Sequence, residues 1–323
     1  MTRIMLSSAA TLLTLAPAMA GATLLAEEAT VKSIVESVGN FADRGAFDDL
    51  EALFDDEVLV DYESLSGQPA ALRSPSALMT DWASLLPGFD VTRHELSQVK
   101  ATVEEAQASA SADVTATHWI GEASWTVDGH YNYQLVRKSD GWKITSMTFT
   151  LEEERGSADL IRGAIEAAKV NPNPYIRRQR AQAIVRQFLT GLEEVDMEAV
   201  NDVWAEDAVQ EMPFAPKGLG FPDRVVGKEA LIRQYAGWPE NAEKPDYTSE
   251  LRFYPTLDPN MVIAEFRGDV MIRSTGRPYD QRYIGVFHVN EAGKIDLFRE
   301  YFDPAVFVTA FDLAGQASFY AAD

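Results

Sequence analysis

Cysteine is absent from the 323 residues. Disulfides, thiol nucleophiles and cysteine-ligated metal sites are therefore excluded. Histidine is nearly as scarce, with only four. Basic residues number 28 against 50 acidic ones, a formal net charge of −22. A field of that sign repels phosphate backbones and anionic lipid surfaces, which speaks against nucleic acid and membranes as partners. A long uncharged apolar run occurs only at the start. Met1-Thr2-Arg3 gives a short basic opening, Ile4 to Pro17 is mostly apolar, and Ala18-Met19-Ala20 offers the small residues that a signal peptidase reads. This pattern predicts a leader over 1–20, cleaved after Ala20, and a periplasmic or secreted protein with no membrane association once cleaved.

What remains has the apolar content of a globular protein and the length of two ordinary domains. Val31, Ile34, Val35, Val38 and Phe41 recur at helical spacing. A second helix carries Leu50, Leu53 and Phe54, and a short strand follows with Val58, Val60 and Tyr62 on one face. Ser74-Pro75 caps a third helix holding Leu78, Trp82, Leu85 and Leu86. Strands are expected near 91–103, 109–120, 123–137 and 142–151. The order then repeats: Ile184, Phe188, Leu189 and Leu192, next Val200, Val203 and Trp204, then Leu231, Ile232 and Tyr235, with strands near 248–257, 261–273, 280–289 and 294–302. Ile34 and Ile184 share the same offset as Phe54 and Trp204, which argues for duplication. The expected domains are 27–155 and 178–312, with a linker over 156–177 whose short helix is interrupted by Asn171-Pro172-Asn173-Pro174, where the boundary is placed, and a tail over 313–323.

Helices followed by a bent antiparallel sheet predict an α+β fold: two tandem cones, each with helices packed on a strongly curved antiparallel sheet around a pocket sized for a small organic molecule. Over nearly its whole mature length the chain resembles the nuclear transport factor 2-like (SnoaL-like, ketosteroid-isomerase-like) superfamily. The resemblance implies that the tandem forms an intramolecular pseudo-dimer, with further homo-oligomerisation open.

Strand parity places His118 on the apolar face of Val114, Ala116 and Ile120, as either a core residue or a pocket residue. Phe41-Ala42-Asp43, Val60-Asp61-Tyr62, Thr92-Arg93-His94, Thr117-His118 and Gly129-His130 through Asn132 resemble segments of the scytalone dehydratase-like branch. That resemblance implies a site made of Asp43, Tyr62, His94, His118 and Asn132. One departure stands out: the branch has a second tyrosine where this chain has Ala42. Removing a proton beside a carbonyl needs a base poised near neutrality, and the resulting enolate needs a hydrogen-bond donor at its oxygen. His94 then serves as base or acid, His118 as its partner, Asp43 as the group that orients a histidine, Tyr62 as oxyanion donor and Asn132 as a substrate-positioning residue. The chain has no HExxH pattern and no helical i, i+4 histidine pair, and the resemblance implies metal-free chemistry, so neither metal nor cofactor is expected.

In the second copy Asp43 maps near Glu193, Tyr62 onto Met212 and His94 near Glu250. Its last strand resembles that of the phenazine-biosynthesis A/B group, which implies that Glu300 faces a pocket. Glu265 and Arg267 share a strand face and are expected to pair at the mouth of the cone, so Glu265 and Glu300 are the candidate ligand contacts there. Two functions fit: an acid–base lyase or isomerase, dehydratase-like, acting in the first copy on a small apolar or hydroxy-ketone, polyketide-like or steroid-like molecule, or a secreted module that binds or dimerises without turnover.

Overall fold

The computed structural model describes residues 16–313 and 315. Residues 1–15, which hold most of the expected leader, and nearly all of the expected tail lie outside these. The chain divides between Asn173 and Pro174 into two compact units. Among the described residues no helix is long and apolar enough to cross a membrane.

The first unit runs α1 (Ala16–Arg44), α2 (Phe47–Glu51), β1 (Phe54–Asp61), α3 (Glu63–Ser66), β2 (Ala71–Arg73), α4 (Pro75–Ala83), β3 (Val91–Glu104), β4 (Gln107–Ile120), β5 (Ala123–Lys138), β6 (Gly141–Gly156) and α5 (Leu160–Val170). α1 buries Val31, Val35, Val38 and Ala42 at helical spacing. Each such valine contributes roughly 1.5–3 kcal/mol by leaving water. α4 begins as its sequence dictates, with the Ser74 hydroxyl accepting the Ala77 N–H at 3.3 Å and Pro75 in the first turn.

The sheet order is β2-β1-β6-β5-β4-β3. It is mixed rather than antiparallel throughout, because β1 pairs with β6 in parallel. The long strands β3 to β6 are joined by tight turns, one of them at Gly121, where φ is +58°. The register shifts between Ser97 and Lys100 of β3, and twice along β5–β6. Such bulges bend strands and increase their twist, so the sheet curls around α1. The expected linker helix belongs to this unit. Ala164 of α5 is fully buried in the same core as Phe89 and Trp125, and a Cβ on Gly88 would lie 1.7 Å from its carbonyl oxygen.

The second unit runs α6 (Pro174–Glu194), α7 (Met197–Asp202), β7 (Trp204–Glu211), β8 (Arg224–Val226), α8 (Lys228–Tyr235), α9 (Trp238–Asn241), β9 (Ala242–Asp246), β10 (Arg252–Tyr254), β11 (Met261–Ile272), β12 (Arg277–Val289), β13 (Ile295–Phe302) and α10 (Pro304–Ala310). Its sheet repeats the plan in the order β10-β11-β12-β13-β7-β8, with β7 and β13 as the parallel pair. Some elements depart from expectation. Phe54 and Trp204, expected on helices, begin β1 and β7. The strand expected over 248–257 shrinks to β10, and a separate short piece, β9, precedes it; both pair with β11. Asp246 ends the first piece by accepting both the N–H and the hydroxyl of Ser249, at 3.1 and 2.7 Å.

Candidate active site and a second cavity

Alternation on β3 turns Thr92, His94 and Leu96 inward, and on β4 Val114, Ala116 and His118. In the β3–β4 register His94 sits opposite Ala116 and His118 opposite Thr92. The two imidazoles are thus diagonal neighbours, their centroids 5.6 Å apart and their planes at 89°. Helix α1 presses on them from the other side. A Cβ on Gly39 would lie 2.8 Å from the His94 Cβ, so glycine is the residue that lets the helix come this close.

Asp43, near the end of α1, closes the pair. Its Oδ1 lies 2.6 Å from His94 Nδ1 and also accepts the Thr92 hydroxyl at 3.0 Å, while Oδ2 accepts the His94 backbone N–H at 2.8 Å. Burial raises the Asp43 pKa, but hydrogen bonds and charge from His94 and the Thr92 hydroxyl outweigh it and leave the carboxyl below its ordinary value. With Nδ1 held, His94 has Nε2 left for the cavity that it lines.

His118 differs in every respect. It is 4 % exposed, its Nδ1 has no hydrogen-bond partner, and Phe89 and Trp125 pack on it, each with a centroid 4.9 Å away. Burial, then repulsion from His94, lowers its pKa to about 4 against smaller opposing contributions from the Trp125 backbone and Asp43. At neutral pH it is an uncharged imidazole.

The two imidazoles line an apolar cavity of ≈ 250 Å³ together with Trp82, Leu85, Val127 and Phe149, while Asp43 stands behind His94 and outside the lining. Tyr62, at the start of α3, contributes a hydroxyl from another wall. That hydroxyl lies 3.0 Å from the hydroxyl of Tyr131 on β5. Burial first, then the neighbouring phenols, lifts Tyr62 well above its usual pKa, and burial pushes Tyr131 up to about 12, so both stay protonated. Two hydroxyls sharing one hydrogen bond always retain a second O–H hydrogen. When Tyr62 carries it, its acceptor among the described residues is the Met147 sulfur at 4.0 Å, a weak one. Ala42 lines the same cavity without a polar group.

Asn132 requires a correction. On β5 the inward residues are Trp125, Val127, Gly129, Tyr131 and Tyr133, and Asn132 is exposed on the outer face. Tyr131 and Tyr133 are the cavity residues that sequence reasoning missed, and the same alternation would have found them. His130 also faces outward and pairs with Asp113 at 2.8 Å. Among the described residues no three His, Asp or Glu side chains gather as a metal site requires.

The second unit encloses a cavity of ≈ 270 Å³. Glu300 of β13 lines it, and burial there pushes its carboxyl up to about 7, opposed by the hydrogen bond from Gln210. Met212, the counterpart of Tyr62, is also a lining residue. Glu265 is not: it lies on the outer face of β11, where Tyr254 donates to it at 2.7 Å. Arg267 does not pair with it, and instead grips Asp280 through two contacts of 2.6 and 2.8 Å. Neighbouring Ala264 and Phe266 are the buried pair on that strand, so parity turns both charges outward. Glu193, the counterpart of Asp43, accepts the backbone N–H groups of Tyr247 and Thr248, each at 3.0 Å, and the Thr248 hydroxyl at 2.8 Å. Its partners precede the expected Glu250, which binds Arg282 on the outer face.

Comparison with known proteins follows this division. Residues 23–148 match one SnoaL-like domain family and residues 185–298 another. An uncharacterised Bacillus subtilis protein, YesE, is 35 % identical over 133 residues, which are 41 % of this chain and 88 % of the relative. The uncharacterised PhzA/B-like protein PA3332 of Pseudomonas aeruginosa is 31 % identical over 124 residues, 38 % of this chain and 84 % of its own. A solved Bacillus subtilis structure, provisionally named an isomerase, is 34 % identical and covers 42 % of this chain and 96 % of that one, with a TM-score of 0.39. The chain consists of two tandem SnoaL-like domains of the nuclear transport factor 2-like fold.

Proposed function

We propose that the first domain is an acid–base lyase or isomerase acting on a small ketone, with a β-hydroxy-ketone as the dehydratase form of the substrate. The observation that carries this reading is His94, held from behind by Asp43, lining the same apolar cavity as an uncharged His118 and the Tyr62 and Tyr131 side chains. The substrate carbonyl oxygen accepts the O–H hydrogen that the tyrosine pair has left over. His94 Nε2 removes the proton on the adjacent carbon, and the C–H electrons move into the enolate. Asp43 stabilises the resulting imidazolium through Nδ1–H, and the tyrosine hydrogen bond strengthens as charge develops on the oxygen. The enolate then collapses in one of two ways. In the dehydratase it expels the β-hydroxyl, which takes the proton from His94 and leaves as water, with His118 placed to hold it. In the isomerase the substrate carries a β,γ double bond, and the dienolate takes the same proton back at its γ-carbon to give the α,β-unsaturated ketone. Placing Tyr131 beside Tyr62 answers the lost tyrosine at position 42 from another wall of the pocket.

The test follows deuterium uptake from heavy water at the carbon beside the carbonyl, and enone absorbance, across a panel of small hydroxy-ketones. Wild type is compared with a His94→Ala, His118→Ala double variant. Exchange or elimination in wild type only is expected. Equal background rates in both would leave the binding-module reading, which Ala42 favours, as the better one for those compounds. The leader is read as directing export, and an intact Met1 on exported protein would contradict cleavage after Ala20.

A further inference from the structure

The second cavity holds a carboxyl group with no counter-charge. Among the described residues that line it there is no lysine, arginine or histidine. Gln210, only 2 % exposed, donates its Nε2–H to Glu300 Oε2 at 2.9 Å, and its own carbonyl oxygen accepts the Tyr235 hydroxyl at 3.1 Å. The amide is therefore fixed in one orientation and holds the carboxyl in place. No described protein group donates to the other carboxyl oxygen, Oε1. The rest of the wall is largely aromatic, including Tyr235, Trp238, Tyr247, Phe266, Tyr279 and Tyr283. The Tyr283 hydroxyl is occupied in donating to Tyr279 at 3.0 Å.

Two physical demands converge here. A carboxylate removed from water without a cation is costly, and it is relieved by a proton or by a cation. Aromatic faces carry negative potential and attract cations, the more so where water is excluded. A ligand anion meets neither demand, and a neutral ligand meets only the packing one. We propose that the second domain binds a small alkylammonium compound, with Glu300 as its counter-ion, Gln210 as the group that positions Glu300, and the surrounding rings as a cage. At ≈ 270 Å³ the cavity exceeds the roughly 150 Å³ that holds benzene, so the ligand carries about one ring's worth of carbon or a little more. The assignment is independent of the chemistry read in the first domain.

The test is titration calorimetry on the full chain at physiological salt, which screens the general negative field of the protein. The probes are choline and dimethylbutanol, in which a tert-butyl group replaces the trimethylammonium, and benzyltrimethylammonium as a larger cation. Choline should bind at least about tenfold tighter than its neutral isostere at a pH near 8.5. The phenols facing Glu300 are those of Tyr235, Tyr247, Tyr279 and Tyr283, all raised above their ordinary pKa by burial. Glu300 is thus the group in this wall that titrates near neutrality, and the affinity of a permanently charged probe should fall by about tenfold or more as pH drops to near 5.5. Glu300→Gln, nearly isosteric, should abolish both the cation preference and the pH dependence. Equal binding of choline and its isostere, a flat pH profile, or no binding of either cation by wild type would each overturn the proposal. The wild-type measurements alone decide it should the variant fail to fold.

Discussion

Asp43 and Glu193 occupy matching places at the ends of α1 and α6, and both reach across to backbone at one edge of their sheets, Asp43 to β3 and Glu193 to the segment between β9 and β10. Glu193 spends all of its contacts on backbone N–H groups and a threonine hydroxyl. Asp43 makes the same kind of contacts, to the His94 N–H and the Thr92 hydroxyl, and adds an imidazole. The carboxylate clamp between helix and strand is thus a structural device common to both domains. In the first domain a titratable ring sits under the clamp, and the device becomes a means of fixing a histidine tautomer. In the second the ionisable group of the cavity stands on β13, at Glu300, and no cationic side chain is among the described residues that line its cavity.

The largest effect expected from breaking this contrast is in Asp43→Asn. The amide oxygen still accepts the His94 N–H, but the charge that stabilises an imidazolium is gone. Turnover of whichever ketone shows wild-type exchange should drop by about 10²–10⁴-fold with the fold retained. Glu193→Gln, the matching change in the second domain, should leave that turnover as it is. Rate measurements on both variants test whether the clamp acts catalytically in one domain only.

Next comes a contrast in pH dependence. The His118 pKa falls from 6.5 to about 4 on folding, so between those values the unfolded chain binds more protons and stability rises with pH. The Glu300 pKa rises from 4.5 to about 7, so over a similar window the folded chain binds more protons and stability falls with pH. Each contribution is on the order of 3 kcal/mol across its full window. The two oppose each other in the intact chain. Denaturant unfolding of His118→Phe should therefore show stability decreasing from about pH 4.5 to 7, and Glu300→Gln should show it increasing. Parallel profiles for the two variants would show that one of the groups is solvated.

Gly39→Ala probes the approach of α1 to His94. Within a helix this change ordinarily stabilises by about 0.5–1 kcal/mol. Here the added methyl meets the His94 Cβ at 2.8 Å, so the ring or the helix must shift. Loss of about tenfold in turnover is expected, as a displacement of a fraction of an ångström at a reacting group produces. A rate equal to wild type would show that the helix can yield without moving the imidazole.

Much of this arrangement was legible in the sequence, and the remainder failed for identifiable reasons. The Ser74-Pro75 cap, the long alternating strands and the duplicated order are local signals, and local signals dominate short elements. His118 could be turned inward by parity alone. His94 could not, because its role depends on Asp43, 51 residues away, and came only from resemblance. The parallel pairing of β1 with β6 is equally non-local. The break between β9 and β10 arises from side-chain capture by Asp246 and Glu193, which competes with the sheet ladder. Asn132 and Glu265 were misplaced where motif matching and charge pairing were preferred to strand alternation, which had the answer in both cases.

That last point carries the smallest prediction. Asn132 lies between Tyr131 and Tyr133, two cavity residues, so proximity in sequence gives it every appearance of a site residue. A strand separates neighbours by sending them to opposite faces, and Asn132 projects from the exposed one. Its replacement by alanine should change stability by no more than about 0.5 kcal/mol and leave turnover unaltered. Tyr131→Phe, one position away, removes a single oxygen. It leaves Tyr62 with no hydroxyl partner and should slow turnover measurably while the cavity keeps its shape. A rate loss in Asn132→Ala comparable to that in Tyr131→Phe would mean that β5 presents its other face to the substrate, and the register with β6 would have to be redrawn.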